Sequence, residues 1–159
     1  MRAVRLKVGL DTSCLVPLLS DEHADHEATR AQWDRLRRAD VQLVVSCHAL
    51  LECFSVLTRM PPPYRRPAEE AERLLQKNFA QGVEIPGFGS ELMWSCIREL
   101  VSLGVGGGRI YDAVIARSTF AAGAAVLLTW NVGDFLAVAP AGLEILTPSN
   151  YSARASRVH

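Results

Sequence analysis

The sequence predicts an α/β domain built on a mostly parallel sheet with helices on both faces. Two observations carry that reading. Short apolar runs alternate with longer stretches of helical periodicity, the pattern of strands joined by helical crossovers. The chain has 159 residues, 49 % of them apolar, which suits one domain with one core and is too short for two ordinary domains.

The elements follow in order. Residues 4–10 are mostly apolar and end at Asp11, as a buried first strand should. Thr12 or Ser13 opens a short helix over 14–19. Ser20, Asp21 and Glu22 supply a cap and first-turn acids for a second helix, which runs to Arg37 and Arg38 at its C-terminus. VQLVV at 41–45 is a second strand, and Ser46 caps a helix that Met60-Pro61-Pro62-Pro63 stops. Pro67 begins a further helix that ends at Gly82. A short strand is expected at 83–85, a helix over 90–103, a glycine-rich break at 104–108, and a helix over 109–123 with Asp112 in its first turn. Residues 125–129 form another strand, 131–134 a turn, and 143–146 a last strand. No repeat or linker divides the chain: a single domain is expected over 1–150 and a flexible tail over 151–159.

Composition narrows the function classes. The formal net charge is zero, so any contact with nucleic acid must come from local basic patches. Cys14, Cys47, Cys53 and Cys96 form no CxxC pair and lack zinc-site spacing. Beside apolar neighbours they read as buried free thiols, which fits a reducing cytoplasm. No apolar run approaches the roughly 18 residues of a membrane span. Lys7 and Asp11 interrupt the N-terminal apolar run, which is expected as a strand and not a signal peptide. The expected protein is soluble and cytoplasmic, with no membrane contact.

Four carboxylates lie beside structural transitions. Asp11 ends a strand, Asp112 follows the glycine-rich break, Asp134 follows a strand and turn, and Glu52 lies in a helix directly after a strand. In open parallel sheets, ligands bind beyond the carboxyl ends of the strands. A cluster there suits phosphodiester hydrolysis: Mg²⁺ or Mn²⁺, bound by hard oxygen donors, offsets developing negative charge and activates a water. Each acid also has a plainer reading. Asp11 serves as a helix cap, Glu52 as a solvated helix flank, Asp112 as a first-turn acid favoured by the helix dipole, and Asp134 as a turn residue.

Four segments in order sharpen the choice. VGLDTSCLVPLL, SCHALLECFSVLTR, GVGGGRIYDAVIA and LLTWNVGDF resemble the four motifs of the PIN-domain family, especially its VapC-like toxins. The resemblance extends over about residues 4–150. It implies a three-layer α/β/α sandwich with a central mostly parallel sheet. It also implies a metal-dependent endoribonuclease that hydrolyses RNA with Mg²⁺ or Mn²⁺, as a homodimer paired with a small antitoxin. Carried over by position, Asp11, Glu52 and Asp112 bind the metal or position its water, and Asp134 matches a less uniform fourth acid. Asn131 stands where some members have Asp. Thr12 or Thr129 is expected to hold a carboxylate or phosphate oxygen, and Arg109 to pair with a phosphate or with Asp112.

Other features have weaker claims. His23 and His26 read as a solvated helix face or a metal pair, and His48 as a neighbour of Glu52. The 104–108 loop lacks the GK[ST] ending of a nucleotide-binding loop. Arg37-Arg38, Arg65-Arg66 and Arg117 read as solvated or as phosphate contacts. Trp33, Trp94 and Trp130 read as core or interface anchors, with Trp130 alternatively stacking on a base. Two rival functions stand beside the nuclease. One is a non-catalytic RNA- or protein-binding module on the same scaffold. The other is an aspartyl-phosphate phosphatase, whose second Asp is replaced here by Ser13.

Overall fold

A computed structural model of the chain describes residues 5–155. Within them, five strands form one all-parallel sheet in the order β3-β2-β1-β4-β5. They are β1 (Leu6–Leu10), β2 (Val41–Val44), β3 (Val83–Glu84), β4 (Val126–Leu128) and β5 (Glu144–Leu146). The central strands are buried on both faces, which explains why they read as continuous apolar runs. Val8, Val44, Leu127 and Leu128 have no exposed surface.

Eight helices among the described residues connect and cover the strands. They are α1 (Thr12–Leu19), α2 (His26–Arg38), α3 (Cys47–Arg59), α4 (Ala68–Phe79), α5 (Ser90–Ser102), α6 (Arg109–Ala121), α7 (Val132–Leu136) and α8 (Pro148–Ala155). Steps from β1 to β2 to β3 run one way across the sheet, and the step from β3 to β4 runs back. Right-handed crossovers in opposite directions put helices on opposite faces, giving three layers. The main core joins β1, β2 and β4 to α1–α4. A smaller cluster, Cys96, Leu100, Ala113 and Val138, packs on α5 and α6.

The order of strand addition reverses at the boundary between β1 and β4, parallel strands that lie side by side in register from Val8↔Val126 to Leu10↔Leu128. Beyond the last pair, the Asp11 N–H donates to the Leu128 carbonyl at 3.0 Å. Such a switch point opens a crevice at the carboxyl edge of the sheet. Gly9 makes the close packing of β1 possible. A Cβ there would lie 2.3 Å from the Thr119 methyl of α6.

Several local expectations are corrected. Ser20 does not open α2; it is the C-cap of α1, and its N–H donates to the Pro17 carbonyl. Residues 21–25 turn, and α2 begins at His26. The burial of Ser20 in the α1 end outcompetes its local capping signal. The expected turn at 131–134 becomes the start of α7, with Asn131 at its N-cap position. Residues 151–155, expected within a flexible tail, continue α8, where Ser152 hydrogen-bonds Gln32 of α2. Position 4 and positions 156–159 lie outside the described residues. Cys14, Cys53 and Cys96 are buried as expected, whereas Cys47 is exposed. No helix among the described residues is long and apolar enough to cross a membrane.

Candidate functional site

The site is assembled from residues that leave the sheet at its carboxyl edge. Asp11 follows β1 and caps α1: its Oδ2 accepts from the Ser13 N–H at 3.2 Å. The same oxygen accepts from the Thr129 hydroxyl, which follows β4, at 2.9 Å. Capping and membership of an acidic group are thus not alternatives for this residue. Thr129 also accepts from the Asn131 N–H at 3.0 Å and lies 3.1 Å from the Ser13 hydroxyl. Ser13 in turn accepts from the Trp130 N–H at 2.9 Å. These bonds lock the two strand ends together and hold one Asp11 oxygen in a set direction.

Burial pushes the Asp11 carboxyl up from its ordinary value, against the lowering effect of its hydrogen bonds to Ser13 and Thr129. Burial also raises Glu52, with the Asp11 charge adding to it and a hydrogen bond from Thr12 opposing. Asp112, in the first turn of α6, is pushed up to about 6. Burial is the largest cause, followed by the charges of Asp11, Asp134 and Glu52; Arg109 pulls the other way. Asp112 therefore feels the other three acids expected from the sequence, and Glu52 feels Asp11. They are not equal. Asp11 is buried, Glu52 and Asp112 are part-exposed, and Asp134 is exposed on α7.

Glu52 and Asp112 line a cleft of about 370 Å³ with His48, Ser55, Arg59, Gly108 and Tyr111. The face of α3 that reads as a solvated flank is one wall of it. His48 stacks on Tyr111 with ring centroids 5.3 Å apart and planes 5° apart. Its Nε2 is 3.7 Å from Glu52, beyond hydrogen-bonding distance. Burial pushes His48 below the usual imidazole value, although the charge of Asp112 opposes this.

Carboxylate oxygens are the right donors for a hard cation, and the mutual repulsion that raises Asp112 is what such an ion relieves. Among the described residues, however, no three His, Cys, Asp or Glu side chains stand close enough to form a ready coordination shell. The group is coupled through charge and open in geometry. That suits an ion such as Mg²⁺, which keeps several of its waters.

Other expected contacts lie elsewhere. Arg117 is buried and pairs with Glu99 of α5 at 2.5 Å, so it does not face the cleft. Arg65 donates to the Met60 carbonyl, and Arg66 pairs with Glu22 and Glu70. Arg37 lies over the Trp33 ring. Trp130 anchors the core, its indole N–H donating to the Thr29 hydroxyl at 3.0 Å. His23 lies in a turn and not on a helix, and the His26 Nδ1 meets the Pro17 carbonyl at 2.7 Å, so the two form no metal pair. Tyr111 belongs to the site although the sequence marks it only as the neighbour of Asp112, and Ser13, read from the sequence as a possible helix opener, belongs to it through its bonds to Asp11, Thr129 and Trp130.

A doubly wound parallel sheet with acids gathered at its carboxyl edge around Asp112 defines an α/β domain with an acidic cleft. Comparison with known proteins gives the family. The PIN-domain model matches residues 8–139. Ribonuclease VapC27 of Mycobacterium tuberculosis is 35 % identical over 109 residues, which span 69 % of this chain and 74 % of that relative. The chain belongs to the PIN-domain family. Its fold resembles that of VapC20 of Mycobacterium tuberculosis, a Sarcin-Ricin loop cleaving toxin, with a TM-score of 0.66 at 19 % identity over 82 % of this chain and 93 % of that one. It also resembles VapBC2 from Rickettsia felis, solved with a DNA fragment from its promoter, with a TM-score of 0.65 at 19 % identity over 89 % of this chain and 98 % of that one.

Proposed function

We propose that this chain is a divalent-metal-dependent endoribonuclease, the toxin of a toxin–antitoxin pair, with Asp11, Glu52, Asp112 and Asp134 as its acidic group. The observation that carries the reading is the convergence of the Asp11, Glu52 and Asp134 charges on Asp112 at the carboxyl edge of the sheet. The relationship to Ribonuclease VapC27 supports it.

Asp11, Glu52 and Asp112 would hold the ion, with Asp134 as a further carboxylate donor. A bound Mg²⁺ or Mn²⁺ supplies charge neutralisation and an activated water for in-line attack on the phosphodiester. Thr129 and Ser13 hold the Asp11 carboxylate through its Oδ2 and leave its other oxygen as the candidate donor. Thr12 steadies Glu52, and the Asn131 backbone steadies Thr129. Arg109 offsets the charge of the incoming phosphate beside Asp112. A small antitoxin and a second copy of the chain are the expected protein partners. Trp94 and Val101 support such contacts: they lie seven residues apart on one face of α5, 56 % and 74 % exposed.

The test is cleavage of end-labelled tRNA and a structured rRNA fragment with Mg²⁺, with Mn²⁺, with chelator, and by Asp112→Asn. Discrete cuts that vanish with chelator and with the variant are expected. The open geometry of the acids favours one second reading, a module that holds RNA without cutting it. RNA retained intact under every metal condition would establish that reading instead.

A further inference from the structure

The His48–Tyr111 pair has no part in holding a metal, yet it stands against two of the acids. Tyr111 directly precedes Asp112 on α6, and His48 lies one turn before Glu52 on α3. The parallel stack joins the two helices across the cleft wall. With one side of its ring against His48, Tyr111 is still 55 % exposed. The open face of this ring can take a second flat group stacked against it.

The surroundings indicate the chemistry of that partner. The cleft volume of about 370 Å³ lies within the range of roughly 300–1,000 Å³ typical of small-ligand sites. Gly108 lines the same cleft, and a Cβ there would meet nothing within 4 Å, so this part of the cleft is open. Arg59 and Ser55 on the same wall offer a cation and a hydroxyl suited to a phosphate. A flat apolar ring, a nearby cation and acids beyond match the repeating parts of one ligand class: an unpaired nucleotide within a strand. Every base has a π-face, and unstacked bases of single-stranded RNA are commonly held on aromatic rings.

We propose that Tyr111, backed by His48, is a stacking platform for an unpaired RNA base beside the phosphate presented to the acids, with Arg59 on the adjoining phosphate. The position of the cut relative to this base rests on the nuclease reading; the platform itself does not. A base seated on Tyr111 brings its own phosphate toward Asp112, the next residue in the chain. The platform selects single-stranded or flipped-out nucleotides and disfavours continuous duplex.

The test measures binding with cleavage switched off. Fluorescence anisotropy of a labelled short single-stranded RNA is recorded in excess chelator, alongside the same oligomer made with abasic riboses. Wild type should bind the base-bearing oligomer more tightly than the abasic one. Tyr111→Ala should weaken the base-bearing oligomer by about 5- to 100-fold, the span of single base–aromatic stacks, and leave the abasic one unchanged. Tyr111→Phe should restore wild-type binding. Equal binding of both oligomers by the wild-type chain would overturn the platform without any variant. So would a folded Tyr111→Ala protein, verified by circular dichroism, that binds as wild type does. The two proposals fail separately. RNA bound through Tyr111 but never cut would sink the nuclease and keep the platform. Metal-dependent cutting with base-independent binding would do the reverse.

Discussion

Neutralising Asp112 should stabilise the metal-free protein at neutral pH, although it removes a functional group. The Asp112 carboxyl is raised from 3.8 to about 6 by burial and by three neighbouring acids. An acid raised in this way holds its proton more tightly when folded. The stability it contributes is full below its ordinary value of 3.8, is lost as pH rises from there through about 6, and is absent above. Each tenfold gain in proton affinity is worth about 1.4 kcal/mol, so the whole rise would be worth about 3 kcal/mol. Asp112 is part-exposed, and solvent screening reduces that to about 1–2 kcal/mol. The attraction of Arg109, lost together with the charge, is already included in the net rise. For a domain of this size, each kcal/mol moves Tm by about 2–4 °C. Asp112→Asn should therefore melt about 2–8 °C above wild type at pH 7.5 in chelator, by circular dichroism or scanning calorimetry. The gap should close near pH 4, where both side chains are neutral. Added Mn²⁺ should raise the wild-type Tm and move the variant less, because ion binding stabilises the state that holds it. An Asn variant that melts at or below wild type at pH 7.5 would refute the mutual coupling of the acids.

Further tests address the supports of the site. Thr129→Val keeps the volume of a fully buried side chain but removes its bond to Asp11, and should lower the unfolding free energy by about 1–3 kcal/mol in urea titrations; an unchanged midpoint would show that the bond contributes nothing net. Gly9→Ala drives a methyl into Thr119 and should cost about 1–3 kcal/mol, read as a lower Tm. Adding Thr119→Ser removes the clashing methyl and should recover much of that loss. RNA cleavage at limiting Mn²⁺ should fall on the acid side with a midpoint near pH 6, as Asp112 takes up its proton. The midpoint should move lower as Mn²⁺ rises, because metal and proton compete for the carboxylates; an acid limb indifferent to Mn²⁺ would separate Asp112 from metal binding.

The main elements and the candidate acids are legible in the chain before any folding is considered. Buried strands such as 41–45 and 125–129 show as apolar runs because both of their faces must be dry. Prolines and glycines punctuate the helices through restrictions that act within a few residues, so the breaks at 60–63 and 82 can be placed directly. Asp11, Glu52, Asp112 and Asp134 stand out because each sits at a transition and falls into a motif in the right order.

How those residues meet is a property of the folded sheet alone. The bond between Thr129 and Asp11 joins residues 118 apart, and it exists because β4 is laid beside β1 and not beside β3. Local capping signals at Ser20 and turn signals at 131–134 gave way to burial and to helix packing, which outweigh a single cap or turn preference of about 1 kcal/mol. The His48–Tyr111 stack belongs to no motif, because it arises where two helices from different crossovers face each other. The perturbed Asp112 carboxyl has the same origin. Periodicity and propensity are written among near neighbours in the chain, whereas charge coupling and ring contact depend on distances in space that the packed layers set.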